Sequence, residues 1–128
     1  MLSVTPLYAG IIALFYVTLS LSVVMYRFRT GILLGDGHDP ELLRRGRAHA
    51  NLAEYAPLAL LLMALAELQG APGLAIHLLG LLLVAGRIIH ALAIRLTDPP
   101  LVLRTLGMVA TFSVILLASL GNIFHALS

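Results

Sequence analysis

The segment RGRAHANLAEYAPL, residues Arg45 to Leu58, puts two arginines, a histidine, an asparagine and a glutamate at the head of an apolar run that continues to Leu68. Its length and flanks suit a helix in lipid. A charge inside a bilayer is costly, so such residues are usually paired, turned toward a protein interior and functional. The rest of the chain supplies the lipid half of this conflict. Hydrophobic residues make up 60% of the 128 positions and charged residues 11%, with a mean hydropathy of +1.01. A soluble domain carries about 25% charged residues. The composition therefore implies an integral membrane protein, read as a single domain over residues 1–128.

Working outward from that segment, four stretches reach the roughly 20 apolar residues needed to cross a hydrocarbon core. They run from about Thr5 to Tyr26, Glu41 to Leu68, Gly73 to Ile94 and Leu101 to His125. The breaks between them have turn chemistry. Gly35-Asp36-Gly37 and Asp39-Pro40 mark a polar first loop, with Glu41 at a helix N-terminus. Gln69-Gly70-Ala71-Pro72 is a tight turn, and Asp98-Pro99-Pro100 separates spans three and four. The N-terminus has no basic region ahead of its apolar run, and that run continues to Met25, so it reads as a span and not as a secretory signal. Pro57 removes a backbone donor within span two and should kink it.

All eight basic residues are arginine. Arg27, Arg29, Arg44, Arg45 and Arg47 lie in or beside the first loop, and Arg95 and Arg104 beside the third. The second loop and both termini have none. Positive charge concentrates on the cytoplasmic side, so loops one and three are expected in the cytoplasm and both termini outside. The arginines form no exposed basic face of the kind nucleic acid requires. The chain has no cysteine, which excludes disulfides, thiolate metal sites and a cysteine nucleophile. His49 and His90 lack metal-ligand spacing, and no metal is expected.

Arg44, Arg47, Asn51 and Glu54 are spaced three, four and three apart, which places them on one helix face. His49 and Tyr55 flank it. Arg87 and His90 share a face of span three. With a rise of about 1.5 Å per residue, Glu54 lies about 10 Å deeper than Arg47, and Arg87 about 12 Å deeper than Arg95. Spans two and three are antiparallel neighbours, so Glu54 and Arg87 fall at similar depth and are expected to pair, directly or through a ligand. Structural readings stand beside these: an ion pair that fixes helix packing, Arg45 as an interfacial anchor, and Asn51 as interhelical glue. Glu67, His77, Asn122 and His125 read as interfacial. Arg104 and Thr105 open span four, where a guanidinium can hold a carboxylate or stabilise a thiolate.

RGRAHANLAEYAPL resembles the second-helix signature of the MAPEG family, the membrane-associated proteins in eicosanoid and glutathione metabolism. GRIIH, from Gly86 to His90, and the four-span plan fit the same family, and the Gly35-Asp36-Gly37 loop resembles its small bacterial branch. The resemblance implies an all-α four-transmembrane-helix bundle assembled as a homotrimer, with glutathione as co-substrate in clefts between subunits. It assigns Arg47, Asn51 and Glu54 to glutathione, with Arg44 and Tyr55 nearby and Arg27 as the span-one contributor. It matches Arg87 and His90 to family positions on span three, and Arg104 with Thr105 to the thiolate-stabilising position. Ile94 stands where family enzymes often carry a tyrosine, Ala50 where some carry a basic residue, and Met108 where an aromatic often follows the catalytic arginine.

The expected activity is that of a glutathione-dependent membrane enzyme, a transferase or peroxidase acting on lipophilic small molecules in a bacterial inner membrane. The alternative is a non-catalytic protein that holds an anionic lipid headgroup or thiol in the same polar cleft. A transporter is disfavoured, because the spans show neither paired broken helices nor a repeated half.

Overall fold

In the computed structural model, which describes residues 1–96 and 101–127, the chain forms four α-helices. They are α1 (Thr5–Thr30), α2 (Pro40–Leu68), α3 (Gly73–Arg95) and α4 (Leu101–Leu127). No strand occurs among the described residues. Each helix is long and apolar enough to cross a membrane. The expected Asp98-Pro99-Pro100 break lies outside the described residues.

The helix ends follow local chemistry. Helix α1 starts with Pro6 in its first turn and ends at Gly31, whose φ of 72° is a left-handed conformation suited to glycine. It therefore continues to Thr30, past the expected Tyr26. Asp39 caps α2 by accepting from the Glu41 and Leu42 N–H groups, both at 2.9 Å. The Leu42 N–H, helped by the Tyr26 hydroxyl and the Glu41 N–H, holds the Asp39 carboxyl below its ordinary value. Pro57 does not end α2, which is continuous to Leu68. Its missing N–H leaves the Ala53 carbonyl without its helical donor.

Val4, the N-cap of α1, supplies no side-chain cap. The carboxylate of Glu67, at the far end of α2, does this instead. It accepts from the Ser3 N–H at 2.6 Å and from the Val4 and Thr5 N–H groups at 2.7 Å each. Three orphan donors of a helix start are thus met from a different helix.

Helices α2 and α3 are the central pair. Helix α1 packs on one side of them and α4 on the other, and α1 and α4 do not touch among the described residues. The core between them includes Leu52, Met63, Leu83 and Val114. Large apolar side chains such as Leu14, Leu81 and Phe124 point outward, as lipid permits. Helices α3 and α4 approach each other closely. A Cβ on Gly107 would lie 2.6 Å from the His90 Cβ and 2.7 Å from the Gly86 carbonyl oxygen. A Cβ on Gly86 would lie 2.8 Å from that of Ala110. Two facing glycines therefore bring the backbones together, and this brings Arg87 and His90 against α4.

Candidate functional site: a cationic cavity at the loop-one end

Helix α2 enters the bundle from loop one with Arg44, Arg45 and Arg47 in its first turns, and α3 returns to the same end with His90 and Arg95. Helix α4 leaves from there with Arg104. Arg44, Arg47, Asn51, His90 and Arg104 converge on one cavity of about 270 Å³, whose apolar wall is Leu43, Ile94 and Leu96. No carboxylate lines it among the described residues. It thus offers three guanidinium groups, an amide and an imidazole. Guanidinium forks match carboxylate and phosphate geometry, and charge-assisted hydrogen bonds are about twice as strong as neutral ones. These are donors of the kind that suit an anion.

The arginines divide into two groups. Glu41 gathers Arg44 at 3.1 Å, Arg45 at 2.6 Å and Arg95 at 3.9 Å. Arg45 also donates to the Ser22 hydroxyl at 2.8 Å and lies 4.8 Å from the Tyr26 ring centroid, so it joins α2 to α1 and does not enter the cavity. Arg47 and Arg104 are exposed and make no ion pair with a carboxylate among the described residues. Of the cavity's three arginines, these two have no carboxylate partner among the described residues.

Arg87 stands behind the cavity wall and is 2% exposed. Its Nη1 donates to Asn51 Oδ1 at 2.7 Å, and its Nη2 approaches the Gly107 carbonyl at 3.3 Å and Met108 Sδ at 3.4 Å. The Tyr55 ring centroid lies 5.7 Å from the guanidinium carbon. Placing an arginine mid-span costs about 2.5–3.5 kcal/mol on insertion scales. Hydrogen bonds to a charged group return about 1.5–3 kcal/mol each, so two or three good ones offset that cost without a carboxylate.

The direct Glu54–Arg87 ion pair expected from depth is not formed. Glu54 is exposed, and Arg87 takes the amide of Asn51 instead. The reason is rotational. Three residues on a helix turn the side chain by about 60° off the starting face. Asn51 faces α3, whereas Glu54 turns out of the interface.

Of the other residues singled out, Arg27 donates to its own loop, at 3.0 Å to the Ile32 carbonyl and 2.8 Å to that of Gly35. Tyr55 packs on Phe112 with ring centroids 5.6 Å apart. Thr105 is exposed beside Arg104, outside the cavity lining. His49 stacks on Tyr16 at 4.7 Å. Sequence reading missed two contributors. Glu41, read only as a helix start, is the shared counter-ion of three arginines. Gly107 supplies both the close crossing and a carbonyl for Arg87. Its signal was present, since one glycine precedes Arg87 and another lies one turn after Arg104.

Four membrane-spanning helices with arginines gathered toward one end define a polytopic membrane protein with a cationic cavity at that end. The chain belongs to the MAPEG family, whose model matches residues 5–124. It is similar to the inner membrane protein YecN of Escherichia coli K12, at 36% identity over 124 residues covering 95% of this chain and 92% of that protein. The YecN protein of Escherichia coli O6:H1 matches to the same extent.

Proposed function

We propose that the protein is a glutathione-dependent enzyme of the bacterial inner membrane, acting on lipophilic electrophiles or hydroperoxides. The single observation that carries this reading is the convergence of Arg44, Arg47, Asn51, His90 and Arg104 on one cavity that no carboxylate lines among the described residues. Glutathione carries two carboxylates and a thiol that reacts as its thiolate, three groups that guanidinium and amide donors suit. Arg47, Arg44 and Asn51 hold the carboxylates. Arg104 stands at the mouth and stabilises the thiolate, so the proton passes to water without a dedicated base. On a molecule arriving from the bilayer the thiolate sulfur then attacks either an electrophilic carbon or a hydroperoxide oxygen. Attack on carbon forms the thioether as the leaving group departs as an anion. Attack on the hydroperoxide breaks the O–O bond to give the glutathione sulfenic acid and an alkoxide that water protonates. A second glutathione converts the sulfenic acid to the disulfide and water. The glutathione ammonium is met by Glu54, whose exposed position suits a cleft completed by a neighbouring subunit of a homotrimer. The inner-membrane location is supported by what the relatives are called, and the arginine distribution supports loops one and three inside with both termini outside.

Replacing Arg104 by alanine or serine is expected to abolish thiol transfer to a reactive aryl halide while leaving most glutathione binding. Full activity in that variant overturns the assigned role.

A second reading has its own observation. Ile94, an apolar residue, lines the cavity where a thiol-contacting hydroxyl would be useful. On this reading the site holds an anionic headgroup or a thiol without turnover. Calorimetric binding of glutathione with no conjugation of the aryl halide favours it.

A further inference from the structure

Arg87 has an arrangement that the cavity itself does not require. It is buried, is absent from the cavity lining, and meets no carboxylate among the described residues. Its Nη1 donates to Asn51 Oδ1 at 2.7 Å and lies 3.5 Å from the Asn51 backbone carbonyl. Its Nη2 is engaged by Gly107 and Met108, and its Nε is buried without an acceptor. A guanidinium carries five N–H donors and no acceptor. The amide of Asn51 therefore has one permitted orientation, with oxygen toward Arg87 and nitrogen away from it. Asn51 also lines the cavity, and its Nδ2 makes no hydrogen bond among the described residues.

We infer that Arg87 is a positioning residue: by fixing the Asn51 amide it makes that side chain present only N–H donors to the cavity, and so restricts the site to ligand groups that are pure acceptors. This rests on the reading of the cavity as a ligand site and adds its selection rule. With Asn51 locked, the His90 ring is, among the described residues, the sole side chain of the lining that can accept a hydrogen bond. A carboxylate, thiolate or phosphate oxygen fits every other polar group there. A neutral hydroxyl does so only where its own O–H can reach the His90 ring, whereas an ammonium has nothing to accept with, and that of a zwitterionic ligand must lie outside this lining, on the side where Glu54 is exposed. The same chemistry serves a free thiol peptide and a free or lipid-borne phosphate.

The test titrates the protein, held in nanodiscs of zwitterionic lipid, with glutathione and separately with inorganic phosphate, reading affinity by calorimetry. Arg87→Met is expected to weaken both by about tenfold or more, the scale of one misdirected charge-assisted hydrogen bond. On an Asn51→Leu background the same change is expected to alter affinity by less than about twofold, because the positioned group is gone. Arg87→Lys, also donor-only, is expected to restore affinity to within about threefold of the original. Asn51→Asp keeps a partner for Arg87 but has no N–H, and is expected to fold and lose binding. If Arg87→Met fails to fold, the lysine and aspartate variants carry the test. An Arg87→Met effect that persists undiminished on the Asn51→Leu background overturns the inference, since Arg87 then acts by its own charge or contact. So does unchanged affinity in Arg87→Met or in Asn51→Asp. Binding of phosphate but not glutathione defeats the glutathione reading and leaves the positioning tested on phosphate. Binding of neither overturns both.

Discussion

The two ends of the bundle use their polar side chains in opposite ways. At the loop-two end, the Glu67 carboxylate accepts from four donors, the Ser3 hydroxyl included, at 2.6–3.1 Å. Nearby, the Tyr8 hydroxyl meets His77 Nδ1 at 3.0 Å, and the Asn122 amide nitrogen reaches the carbonyls of Leu62 at 2.9 Å and Ala118 at 2.8 Å. These groups join one helix to another or to itself. At the loop-one end, among the described residues, Arg47 and Arg104 face a cavity that no carboxylate lines, and the Asn51 amide nitrogen has no acceptor. Both ends contain charge at the edge of an apolar bundle. At one end the folded chain consumes it, and at the other, where Glu41 takes up Arg44, Arg45 and Arg95, Arg47 and Arg104 are left without a carboxylate partner among the described residues. Membrane ionisable groups that the fold does not consume are the ones to read as functional.

The largest effect that would sharpen this contrast is at Arg104. Its replacement by alanine should lower glutathione transfer by about 10²–10³-fold, the usual loss for one preorganised donor at a developing anion, with unfolding little changed. Activity assays beside thermal melts in detergent check this. A drop in stability matching the drop in rate would place Arg104 with the structural charges. Next is Gly107→Ala, whose Cβ meets the His90 Cβ and the Gly86 carbonyl. Overpacking of this kind costs about 1–3 kcal/mol, and because the Gly107 carbonyl also holds Arg87, affinity for glutathione should fall with stability. Glu67→Gln should cost about 1 kcal/mol of stability, the scale of a weakened helix cap, and leave ligand affinity unchanged. A loss of affinity there would break the division between the two ends.

The smallest expected effect is at Asp39. Its carboxyl is held below its ordinary value by the Leu42 N–H above all. A depressed carboxylate contributes stability above its unfolded value and loses it as pH falls through the folded value. The melting temperature of the native protein should therefore fall as pH drops below about 3.8. Asn is as good an N-cap as Asp, so Asp39→Asn should match it at neutral pH and lack that acid-side component. Parallel pH profiles for the two would contradict the cap assignment.

Much of the architecture could be read from composition, because lipid makes hydropathy a nearly direct measure of where helices lie. The spans from Gly73 and from Leu101 begin as read, and each ends within two residues of its expected limit. Helix α1 ran longer because hydropathy stops at Arg27, whereas the helix stops at Gly31, the first residue suited to a left-handed cap. In the site, the spacing of Arg44, Arg47 and Asn51 foretold a shared face, and these three do line one cavity. Depth alone could not choose between Asn51 and Glu54 as the partner of Arg87. That choice needed rotation about α2 and the carbonyl of a third helix, brought close by Gly86 and Gly107. The interfacial reading of Glu67 was incomplete for a similar reason. Its partners lie at the start of another helix, and the hint was a first helix starting at Thr5 with Val4, which has no capping side chain, in the N-cap position.

The most direct measurement is a cryo-electron microscopy map of the protein in nanodiscs with saturating glutathione. The expected result is ligand density in the cavity at the loop-one end, in contact with Arg47, Asn51 and Arg104 and separated from Arg87 by the Asn51 amide. A map in which those side chains are neutralised by the protein's own carboxylates, or turned to acyl chains with no density between them, would contradict it.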